Sequence, residues 1–228
     1  MIGFPNRTQN INSSVKRAPE IIRIGTRKNA FKYFSNGFGL GFMMILAVVG
    51  IMAIFTETRV NLQNGSILNI KAFIPSLILM LAYIVQGSIE EIISRGWQFQ
   101  VLGFRLNPLI GAILSSIVFV FLHSLGVNIT GAINLFLFSV FLILLVLKDG
   151  NLWAACGWHA AWNWTIEVVL GLKVSGQNAV VKFFSFDFIG SDLITGGSFG
   201  PEGSIAASFI LIIGIIVLYK RITKKKFI

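Results

Sequence analysis

Charge is scarce in this chain. Of its 228 residues, 12% are charged and only nine of those are acidic, whereas 55% are hydrophobic. A water-soluble domain of this length carries about a quarter charged residues. With a mean hydropathy of +0.79, too little polar surface remains to cover a globule in water, so lipid is the expected solvent for much of the chain. Cysteine is limited to Cys156, which excludes an intrachain disulfide. No long polar stretch is available to build a second core, so one membrane domain is expected. The start lacks a secretory-signal pattern, since some thirty mostly polar residues precede the first apolar run.

The basic residues are distributed unevenly. Arg7, Lys16, Arg17, Arg23, Arg27, Lys28 and Lys32 precede the first apolar run, and Lys220, Arg221, Lys224, Lys225 and Lys226 follow the last. Cations at the ends of apolar segments fit the positive-inside pattern and attraction to anionic lipid, and they argue against nucleic acid as a partner. The expected division is a basic cytoplasmic arm over 1–32, a membrane domain over 33–220 and a basic cytoplasmic tail over 221–228.

Six apolar runs are candidate spans: 37–55, 72–91, 108–127, 132–147, 152–170 and 205–219. Each approaches the roughly 20 residues that hydrocarbon requires, and each must be helical because lipid offers the backbone no hydrogen-bond partner. The predicted fold is therefore all-α, a polytopic bundle of about six transmembrane helices in the cell membrane. Both termini are expected in the cytoplasm, because an even number of spans returns the chain to its starting side. The run 180–190, interrupted by Lys182 and Asp187, reads as an interfacial or re-entrant piece.

Ionisable groups inside apolar spans are costly and point to function. Glu90 and Glu91 are adjacent at the end of the second run, about 100° apart on a helix, so they face different surroundings. Glu91 and Arg95 are spaced i,i+4 with the acid first, the favourable order for an ion pair. Glu90 is then left to accept a proton. The two histidines, His123 and His159, both lie in apolar runs. His159 and Asn163 share a helix face one turn apart and can direct two donors at one point. Counting rise along these spans sets Glu90 and His123 toward opposite ends of the bilayer, so they could share a water only if the spans are shifted, tilted or broken.

The same residues admit other chemistries. Zinc could be ligated by His and carboxylate, but there is no His-Glu-x-x-His helix to demand it. Cys156 lies one turn before His159, although a small thiol in an Ala/Gly-rich helix reads as packing. Glu167 could extend the polar face beyond Asn163 and is left outside the site. It sits near an expected membrane boundary.

Taken together, Glu90-Glu91-x-x-x-Arg95, Phe119-x-x-x-His123 and His159-x-x-x-Asn163 resemble the three-motif signature of the CPBP intramembrane proteases, the family that includes the type II CAAX prenyl endopeptidases. The stretches 150–155 and Gly200-Pro201-Glu202-Gly203 resemble that family too. The resemblance implies a membrane helix bundle around a cavity where a peptide bond is hydrolysed. It implies that Glu90 and His123 activate water and that His159 and Asn163 form the oxyanion hole. Glu91 and Arg95 would support the site. A carboxylate in a water-poor cavity binds a proton more readily than one in water, which suits a general base. No metal or other cofactor is favoured, with zinc as the alternative. The implied partner is a membrane-associated protein or peptide substrate. A non-catalytic adaptor or bacteriocin-immunity protein, and a proton-coupled transporter, are the competing functions.

Overall fold

A computed structural model describes residues 29–62, 70–123, 127–179 and 181–224. The basic arm up to Lys28 and the tail from Lys225 lie outside the described residues. Among the described residues each of the six apolar runs is helical over most of its length, the third as far as His123. Four helices among the described residues are long and apolar enough to cross a membrane: Ala30–Phe55, Phe73–Arg105, Ile129–Asp149 and Ile205–Lys224. Pro108–His123 is apolar but shorter.

The first helix, α1 (Ala30–Phe55), begins within the expected arm. The second, α2 (Ile70–Glu91), does not stop at its paired glutamates. It passes through a π-helical segment, Ile92–Gln98, into α3 (Phe99–Arg105). The continuous stretch Phe73–Arg105 has 33 residues, about 50 Å at α-helical rise. Ile78, Leu81, Val85, Ile89 and Ile93 along it each leave more than half of their surface exposed. That face would be unsupportable in water and suits lipid.

The chain reverses at Leu106–Asn107. Pro108 opens α4 (Pro108–His123) as the first helical residue, where its missing N–H costs nothing, and Asn107 Oδ1 accepts from the Ile110 N–H at 2.8 Å. α3 and α4 pack closely: a Cβ added to Gly111 would lie 2.4 Å from the Gly103 nitrogen. After α5 (Ile129–Asp149), which ends at Gly150 with φ 70°, comes α6 (Trp153–Trp164), continued by a π turn over Thr165–Val169.

The segment expected as the fifth span is thus helical, but ten of the twelve residues of α6 are buried. It is the central helix, packed by α1, α2 and α5. Small residues permit this: a Cβ on Gly157 would sit 2.1 Å from the Phe34 carbonyl oxygen of α1, the close backbone approach by which membrane helices associate. Trp158 and Trp162 stack at 4.6 Å beside Phe138 of α5.

Among the described residues two strands stand outside the helical pattern. β1 (Glu57–Leu62) pairs antiparallel with β2 (Phe184–Ile189), with Glu57 opposite Ile189 and Leu62 opposite Phe184. The run expected as an interfacial or re-entrant piece is therefore largely a strand. A short α7 (Asp192–Thr195) and two 3₁₀ turns, Gly197–Phe199 and Pro201–Gly203, lead into α8 (Ile205–Lys224).

Candidate active site

The π-helical continuation and the α3–α4 hairpin assemble the polar residues. Arg95 and Phe119 face each other across the hairpin, the guanidinium carbon 4.4 Å from the ring centroid. One turn further from the reversal, Glu90 meets His123, with Nε2 3.4 Å from Oε2. The expected separation of these two groups does not occur, because the helix bearing Glu90 extends to Arg105 and sets Glu90 near its middle.

Each imidazole is oriented by its other nitrogen. His123 Nδ1 lies 2.8 Å from the Phe119 carbonyl oxygen, and a carbonyl can only accept, so Nδ1 carries the proton. The ring also stacks on Phe119 at 4.3 Å. His159 Nδ1 lies 2.8 Å from Glu91 Oε1, and the same oxygen accepts from Arg95 Nη1 at 3.0 Å. Glu91 and Arg95 are wholly buried, so each charge depends on its partner. With Nδ1 engaged on both rings, both Nε2 atoms turn toward Glu90. The His159 Nε2 to Glu90 Oε2 distance is 3.8 Å.

Glu90 Oε2 is itself buried without a direct hydrogen bond to the described residues. Its sister Oε1 accepts from Gln86 Nε2 at 2.5 Å. Gln86 Oε1 in turn accepts from Asn163 Nδ2 at 3.4 Å. The four expected catalytic residues are thus brought together, with Glu91 and Arg95 behind His159. Among the described residues no group of three or more His, Cys, Asp or Glu side chains is placed to hold a metal ion. Glu90, His123 and His159 are the side chains that zinc would have to engage.

A cavity of about 380 Å³ adjoins this cluster, with His123, His159 and Asn163 among its polar lining and Phe119, Leu135 and Phe138 among its apolar lining. Cys156 is buried and is not among the lining residues. Glu202 is. Its Oε1 accepts from Trp162 Nε1 at 3.0 Å, and its Oε2 accepts from the Ser175 N–H at 2.6 Å and Ser175 Oγ at 3.0 Å. Its backbone carbonyl accepts from Asn134 Nδ2 at 2.7 Å. The motif around Glu202 is visible in the sequence, but this anchoring role is not. Tyr83, also on the lining, donates to Glu167, which is 7% exposed and lies in the π turn Thr165–Val169. Gln86 was missed, although a polar residue one turn before Glu90 in an apolar helix was the available signal.

Residues 72–165 match the family described as type II CAAX prenyl endopeptidase Rce1-like. The matched stretch contains Glu90, Glu91, Arg95, His123, His159 and Asn163 and ends before Glu202. No curated protein and no solved structure matches the chain.

Proposed function

From the match of residues 72–165 to the type II CAAX prenyl endopeptidase Rce1-like family, we propose that this chain is an intramembrane endopeptidase that hydrolyses a peptide bond of a membrane-associated protein or peptide. The observation that carries the proposal is the facing of Glu90 Oε2 by two imidazole Nε2 atoms, at 3.4 and 3.8 Å, beside a cavity among apolar helices.

In this reading a water is held between Glu90 Oε2 and His123 Nε2. His123 has its proton on Nδ1, so Nε2 accepts one water hydrogen while Glu90 removes the other as the oxygen attacks the scissile carbonyl. Asn163 Nδ2 and His159 donate to the oxyanion that forms. For His159 to donate from Nε2 while Nδ1–H remains on Glu91, the ring must be an imidazolium. Glu91 makes that charge tolerable: two carboxylates, Arg95 and one imidazolium sum to zero. Collapse of the tetrahedral intermediate breaks the C–N bond, and Glu90 passes its proton to the departing amine. No step is routed through a metal.

The bundle is proposed to cross the membrane six times with both termini in the cytoplasm. The packing supports this reading. Gly190, just beyond β2, lies beside Thr56 at the C-terminal end of α1, and α1 packs on α8. The start of α1 and the end of α8 then share the opposite side. The basic arm and tail would flank the domain there. Prenylated proteins, bacteriocin leaders and anchored regulatory proteins are the substrate classes to screen.

The test is cleavage of such substrates by purified protein in lipid, comparing wild type with Glu90→Ala and His123→Ala, with and without a chelator. Cutting by wild type alone is expected. Equal processing by all three removes Glu90 and His123 from the chemistry. Binding without cutting would favour the adaptor, and pH-coupled flux the transporter. Loss of wild-type activity in chelator, restored by zinc, would replace the metal-free mechanism.

A further inference from the structure

We propose that Gln86 is the positioning residue that orients the general base and the oxyanion donor with a single side-chain amide; this deepens the protease reading and rests on it.

Hydrogen-bond polarity fixes which way the Gln86 amide faces. An ionised carboxylate only accepts, so Glu90 Oε1, 2.5 Å away, compels Gln86 to present Nε2 to it. The carbonyl end of the same amide is then turned to Asn163, which must answer with Nδ2, at 3.4 Å. A flipped Asn163 would oppose two carbonyl oxygens. One amide thereby fixes two things. It holds Oε1 of Glu90, leaving Oε2 toward His123 and His159. It also sets Asn163 with its NH₂ on the site side, where the second N–H is available to an oxyanion. Without Gln86, Asn163 could offer its carbonyl to the developing negative charge, which would repel it.

Position strengthens the case. Gln86 is one turn before Glu90 on α2, whereas Asn163 belongs to α6, so the amide couples the two helices at the reacting centre. Gln86 and Ala82 line both the inner cavity and an apolar groove on the outer face of α2 that also reaches Glu90. A substrate segment bridging groove and cavity passes this side chain.

The experiment is a double-mutant cycle on cleavage in lipid: wild type, Gln86→Met, Asn163→Ala and the double variant, with unfolding temperature measured for each. Methionine keeps the length and removes both polar ends. The expected result for Gln86→Met is a kcat lower by about 10- to 100-fold, the scale of a misplaced catalytic group, with KM within about twofold. The double variant is expected to lose at least about threefold less than the product of the single losses, as groups acting as a unit do. An unchanged kcat, a change in KM alone, or losses that multiply in full would overturn the proposal. If wild type cuts none of the substrates, the protease reading falls separately. The coupling is then read from the unfolding temperatures of the same four proteins, where non-additive shifts uphold the link between Gln86 and Asn163 and additive shifts overturn it.

Discussion

Glu90 and His123 lie at equal distances along the chain from the hairpin reversal, Glu90 sixteen residues before Leu106 and His123 sixteen after Asn107. In an antiparallel helical pair, equal distance from the turn means equal depth. The 3.4 Å approach of Nε2 to Oε2 follows from that register, which the Arg95–Phe119 and Gly103–Gly111 contacts share to within a residue.

The register can be perturbed without touching the site. Gly111→Ala places a Cβ 2.4 Å from the Gly103 nitrogen, a backbone atom that cannot step aside. The helices must separate or slide, at a cost of about 1–3 kcal/mol for overpacking. A lower unfolding temperature together with reduced cleavage is expected. A variant as stable and active as wild type would show that the α3–α4 contact does not set the depth of His123.

Loss of the base has the simplest outcome. Glu90→Gln keeps the side chain's size and removes its capacity to take a proton, so cleavage should fall by about 10²–10⁴-fold while unfolding temperature changes little. Retention of more than a tenth of wild-type turnover would assign proton removal to another group.

Glu91 and Arg95 separate support from chemistry. Glu91→Gln alone leaves the buried guanidinium without its counter-ion and should destabilise by about 3–5 kcal/mol. Replacing both, Glu91→Leu with Arg95→Met, removes both charges and should recover most of that stability. Cleavage should stay low in the double variant, because His159 has lost the acceptor for Nδ1–H and with it the means to remain an imidazolium. Recovery of activity along with stability would leave Glu91 a purely structural role.

Glu202 is expected to anchor the turn around Ser175 beside the cavity. Glu202→Ala leaves the indole N–H of Trp162 and the Ser175 N–H without acceptors, a penalty of about 1–3 kcal/mol for the buried Trp162 donor and less for the half-buried Ser175. Ser175 also has φ 47°, an unfavourable angle for a residue with a side chain, and loses the bonds that hold it there. Limited proteolysis should cut within 171–179 sooner in this variant. Unchanged cutting would remove Glu202 as the anchor of that turn.

Residue chemistry and local pattern were sufficient for part of this account. Six apolar runs too poor in charge to meet water become helices because lipid leaves the backbone no alternative. Polar and ionisable groups in those runs stand out because their burial needs a reason, which is how Glu90, Glu91, His123, His159 and Asn163 could be named from the sequence, with Arg95 added by its i,i+4 spacing from Glu91. Tertiary structure decided how they meet. Hydropathy does not distinguish a helix that ends at a paired acid from one that continues through a π segment, so the depth of Glu90 emerged only with the Phe73–Arg105 stretch and its hairpin. An apolar run reads the same whether it faces lipid or protein, so the central burial of α6 had to come from packing at Gly157 and around Trp158. The β1–β2 ribbon joins residues more than a hundred positions apart, and the bonds from Gln86 to Asn163 and from Trp162 and Ser175 to Glu202 cross between elements. Such contacts are set by the placement of whole helices and turns, which no local periodicity records.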